Sequence, residues 1–217
     1  IIRFIRFTIM YNSKVEKTTI DAIKQSLNGI KKISKERILI ELYKILDLKN
    51  FINLNESIYL KEIFILIFPE FENLKRLDRL LKICNFSQIS RVLLLAVLLI
   101  DDKKSHEYFG HKYNISNNIK NSLNLLAKNL KLLKENKDFL NKDLEKNIYL
   151  NDKNHLIDLS ILNFVLNTKN KLDSFSQNLK KILKSRTHKF KIDGKYLIEN
   201  GMSQGAMLGN VLKKIEE

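Results

Sequence analysis

Apolar side chains recur along this chain at helical spacing almost from end to end. Ile2, Ile5 and Ile9 fall on one face of a first helix. Ile20, Ile23, Leu27 and Ile30 make a second stripe, and Ile38, Leu42, Ile45 and Leu46 a third at i, i+4, i+7 and i+8. Ser34 is placed to cap that third helix, with Glu36 in the first turn where the helix dipole favours an acid. Thr18 or Thr19 is the expected cap of the second helix, and residues 47–56 read as loop. Ile58 to Phe68 is an apolar segment stopped by Pro69, followed by a stripe at Phe71, Leu74, Leu77 and Leu81. A hydrophobic helix is predicted from Ser87 to Ile100, broken by the charged run Asp101–Lys104. Ser116 then opens a long helix carrying Ile119, Leu123, Leu126, Leu130 and Leu133 inward. Two further helices are predicted over 155–166 and 172–183, before a basic connector from Lys184 to Lys191.

Composition sharpens this into an all-α, elongated multi-helix fold. The chain has 217 residues, one Pro and six Gly, and four of the glycines crowd the tail at 194, 201, 205 and 209. The lone Cys84 excludes an internal disulfide and suits a reducing, cytoplasmic setting. The apolar run Val92 to Ile100 falls far short of the ~20 residues of a membrane span. No membrane association is expected.

Formal net charge is +15, which points to a polyanionic partner. A coding bias towards Lys, Asn and Ile would produce the same surplus without a partner. The outer face of the long helix bears Lys120, Lys128, Lys131 and Lys134, and the connector bears Lys184, Arg186, Lys189 and Lys191. These are the candidate RNA-binding residues. None of these stretches interleaves the aromatics that stack unpaired bases, so contact with phosphates of structured RNA is favoured.

Other chemistry is weaker. His106 and His111 stand five apart, about 140° around a helix, and so do not share one metal. They read as surface histidines. The adjacent pairs Asp101–Asp102 and Glu216–Glu217 read as solvated charges, since two-metal transfer wants Asp-x-Asp on a strand. No catalytic or metal-ligating residue is named. Gly201-x-x-x-Gly205 fits a helix end and the next helix start better than a phosphate loop. A phosphate at the following helix N-terminus is a secondary idea.

Two motifs carry a family resemblance. Arg3-x-x-Arg6-Phe7 is followed, one helix later, by Ser34-x-Glu36-Arg37-x-x-x-Glu41-Leu42. Near the other end stands Phe190-x-Ile192-x-Gly194-x-x-Leu197-Ile198-x-x-Gly201-Met202-x-x-Gly205-x-x-x-Gly209-x-x-Leu212. In this order they resemble the neck and tail of bacterial class II tRNA nucleotidyltransferases, the CCA-adding enzymes, and of the related poly(A) polymerases. The resemblance implies a neck over 1–48, a helical body over 49–147 and a tail over 148–217. It implies that Arg3, Arg6, Glu36, Arg37 and Glu41 brace a nucleotide pocket; by spacing alone, Arg37 and Glu41 are four apart on the helix and can pair. Family members begin with a catalytic head that holds magnesium and takes CTP or ATP. This chain begins at Ile1, past that head, so it is expected to be the RNA-holding back portion, inactive alone and without a cofactor of its own. The expected partner is tRNA or other structured RNA, with a separate head fragment as a second. CCA addition and poly(A) synthesis are not distinguished. A helical protein-interaction module, or the remnant of a split gene, is the alternative.

Overall fold

The computed structural model describes residues 1–136, 138–186 and 192–216, and within these there is no strand. The amphipathic stripes become helices because each needs a shared interior. α1 (Ile2–Tyr11) lays Ile2, Ile5 and Ile9 against Ile38, Leu42 and Ile45 of α3 (Lys35–Leu46). Ser34 caps α3 by accepting from the Arg37 amide at 3.4 Å. α2 (Lys17–Ser26) passes directly into a 3₁₀ turn at Leu27–Lys32 and packs on α4 (Ile58–Ile67). Neither Thr18 nor Thr19 caps α2. Glu16 holds the N-cap position without a side-chain bond, because the helix already begins at Lys17 and takes both threonines into its first turn.

The expected loop after α3 is instead a 3₁₀ turn, Lys49–Asn55. Its Phe51 and Leu54 are three apart, the spacing that eclipses on a 3₁₀ helix, and both are buried. Phe51 starts a chain of ring contacts through Phe64, Phe71 and Phe109 to Tyr113, with centroids 5.0–5.7 Å apart. These rings join the N-terminal helices to the middle of the molecule.

After the short turn Pro69–Phe71, α5 spans only Arg76–Leu80. α6 (Arg91–Leu99) starts later than expected. Ser87 is spent in a 3₁₀ turn at Phe86–Gln88, and Ser90 is the hydroxyl that accepts from the Leu93 amide, at 3.1 Å. α7 (Ser105–Lys112) and α8 (Asn117–Glu135) follow, α8 capped by Ser116 as expected. α9 (Leu144–Asn151), α10 (Lys153–Leu166) and α11 (Leu172–Lys184) complete the body, with α10 packed on α5, α6, α8, α9 and α11. One apolar core runs from Ile2 to Ile182.

α12 (Gly194–Glu199) and α13 (Ala206–Glu216) pack on each other. Gly201, at φ +93°, follows α12 and Gly205, at φ +152°, precedes α13, conformations that a side chain resists. The glycines therefore end one helix and begin the next, as the spacing suggested. Accessible surface is 13818 Å², about a third above the ~10,400 Å² of a globular chain of this mass. No helix among the described residues is long and apolar enough to cross a membrane.

Candidate nucleic-acid interface

The clearest basic feature lies along α8. Its inward stripe of Leu123, Leu126 and Leu130 is buried, which turns Lys128, Lys131 and Lys134 outward. These three line one wall of an open groove of about 670 Å³. Lys131 reaches Glu135 only at 4.0 Å, and among the described residues Lys128 and Lys134 make no ion pair. Lys120 does not join them. Its aliphatic chain lies against Gly110 of α7, where an added Cβ would meet it at 3.3 Å, so it packs instead of facing the groove.

The opposite wall is the turn from α6 into α7. Asp101 is not a free solvated charge, as the sequence suggested. Its carboxylate accepts from the Ser105 amide at 3.0 Å and from the Ser105 hydroxyl at 2.7 Å, fixing the start of α7. Asp102 is exposed, and Glu107 pairs with Lys104 at 3.2 Å. His106, expected on the surface, is only 5% exposed and lines the groove. Helix α7 turns it inward with Phe109, three residues on. Burial holds its pKa below the usual histidine value, and its Nδ1 has no hydrogen-bond partner. Among the described residues no three metal-ligating side chains converge.

The second cluster lies where α1 crosses α3. Glu41, its side chain 14% exposed, draws Arg3 to 3.7 Å, Arg6 to 2.8 Å and Lys44 to 3.3 Å. The Arg6 guanidinium approaches without aligning an N–H on the carboxylate. Arg37 does not pair with Glu41. An Arg four residues before a Glu is the weaker helical order, and the α1 arginines occupy the carboxylate first. Arg3, Arg37 and Lys44 instead rim a groove of about 420 Å³ floored by Ile2, Ile33 and Ile40. Glu36 is exposed in the first turn of α3, outside that lining.

At the end of α11, Lys184 and Arg186 are exposed, while Lys153 donates to the carbonyls of Leu183 and Ser185 at 2.5 and 3.1 Å. Lys189 and Lys191 lie outside the described residues. Sequence reasoning overlooked Lys32 and Lys35, both exposed beside Arg37; the run Lys31-Lys32-x-x-Lys35-x-Arg37 was the available signal. It also overlooked a third groove of about 630 Å³, largely apolar, between the Leu27–Lys32 turn, α3, α4 and α7. At its edge Lys112 pairs with the buried Glu70 and sits 4.9 Å from the Tyr113 ring centre.

The described chain is all-α, and exposed lysines gather along α8 and at the end of α11. Residues 13–75 match the family described as "Probable RNA and SrmB- binding site of polymerase A". A solved structure described as "The complex structure of CCA-adding enzyme with CTP" shares the fold, with a TM-score of 0.58 and 23% identity. That likeness covers 99% of this chain and 53% of the solved one, so this chain spans about half its length. No curated protein matches. Both similarities agree with the resemblance read from the neck and tail motifs.

Proposed function

We propose that this chain holds structured RNA by its phosphates, as the neck, body and tail of a nucleotidyltransferase of the CCA-adding or poly(A) polymerase kind. The observation that carries this is the match of residues 13–75 to the RNA-binding family of polymerase A. The lysine row of α8 and the exposed Lys184 and Arg186 supply further phosphate contacts, with Arg3, Arg6, Glu36, Arg37 and Glu41 bracing the nucleotide side. Magnesium and CTP or ATP belong to the remainder of such an enzyme, and these 217 residues alone transfer no nucleotide. Incorporation of labelled CTP or ATP into a tRNA lacking its 3′ end, by the pure chain, would contradict that.

Binding is tested by affinity over a salt series for tRNA, an unrelated RNA hairpin and heparin. Each phosphate contact adds roughly one unit to the log–log slope. Replacing Lys128, Lys131 and Lys134 by Gln should therefore shallow it by up to about three units and weaken different RNA sequences alike. Equal affinity for tRNA and charge-matched heparin would overturn the reading. A second reading, docking of a protein partner, is favoured by the apolar 630 Å³ groove, which lies mostly within the matched segment.

A further inference from the structure

The α8 groove has two walls of opposite charge that do not neutralise each other. Lys128, Lys131 and Lys134 stand on one side, Asp102 and Glu107 on the other. Among the described residues no ion pair spans the gap: Glu107 is taken by Lys104 on its own helix, and Asp102 lies near the positive charge of Arg76 but makes no hydrogen bond or ion pair. A site meant only for phosphate would not keep an exposed carboxylate with no hydrogen-bond partner opposite its lysines, because like charges repel. The floor adds the nearly buried His106, whose Nδ1 has no partner, beside apolar Ile100, Ala127 and Leu130. Arg76, also in the lining, is occupied, donating to the carbonyls of Val97 and Ile100 at 2.9 and 2.8 Å.

A ligand that satisfies both walls carries anions on one edge and hydrogen-bond donors on the other. The ribose-phosphate backbone of RNA has that form, since its 2′-hydroxyl donates where DNA offers nothing. We propose that this groove takes an RNA backbone with its phosphates on the α8 lysines and a ribose 2′-hydroxyl donating to Asp102. It thereby separates RNA from backbones lacking that group. The inference rests on the RNA-binding reading above and names how one groove within it selects its ligand.

The test uses the full chain and two hairpins of one sequence, one of RNA and one carrying 2′-fluoro groups, which keep the A-form but donate nothing. Wild-type protein should prefer RNA by roughly ten- to a hundredfold, the worth of a hydrogen bond to a charged acceptor. Asp102→Ala should remove that preference, whereas Lys128→Gln and Lys134→Gln should weaken both hairpins equally and leave it intact. If Asp102 only repels phosphate, Asp102→Ala will tighten both hairpins alike with the ratio unchanged, and the inference fails while RNA binding stands. Equal wild-type affinity for the two hairpins also overturns it. Failure to bind either hairpin overturns the broader reading instead.

Discussion

At the scale of single residues, Leu42 and Lys44 show how one helix separates burial from solvent. Leu42 is fully buried under α1, while Lys44 is exposed and pairs with Glu41 at the surface. Leu42→Ala should cost about 2–5 kcal/mol, because it opens a cavity between two packed helices. Lys44→Ala should stay within about 0.5 kcal/mol. Urea melts of the two variants check this, and similar midpoints would show the faces wrongly assigned. The inward residues of α1 and α3 were legible in the sequence because their neighbours in space are also neighbours in period. The partner of Glu41 was not, because the competing arginines come from a different helix whose crossing point no local pattern specifies.

Elements bring in charge at a distance. On α10, burial and then the charge of Asp152 push the Asp158 carboxyl up to about 6. Between the ordinary carboxylate value of 3.8 and that value the folded chain keeps a proton the unfolded chain has released. Asp158 therefore lowers stability as pH rises through this window, and the loss is complete above it. Asp158→Asn should raise the melting midpoint at pH 7.5 by roughly 2–5 °C, with the gain vanishing near pH 3.8. His106 and His155 act in the opposite sense. Burial depresses both, so the stability of their neutral forms is lost as pH falls below 6.5. Since both histidines remain in the variant, the difference between the two melting curves isolates Asp158. Helix positions were largely readable from apolar period, and for α3 and α8 from the serine caps Ser34 and Ser116. The 3₁₀ turn at Lys49–Asn55 was not, because Lys and Asn around Phe51 and Leu54 give it the composition of a loop.

For the whole molecule, the smallest helix has the widest reach. On α5, Arg76 holds the end of α6, while Arg79 donates to the carbonyls of Phe164, Asn167 and Asn170 at 2.7–3.0 Å and stacks 4.3 Å over the Phe164 ring. Two cations on one turn thus meet the negative ends of two helices. Sequence could not reveal this, since the acceptors lie 21 to 91 residues away. The consequence is kinetic as well as energetic. Helices α6 and α10 share one latch, so their final turns should open to solvent as a single unit instead of fraying separately. Arg79→Leu leaves the α10 carbonyls without their donors, at about 1–3 kcal/mol each. Deuterium uptake should then accelerate together at the last amides of α10 and of α6, although the hydrogen bonds removed all end on residues 164–170. Faster exchange at α10 alone would show that the two ends open independently.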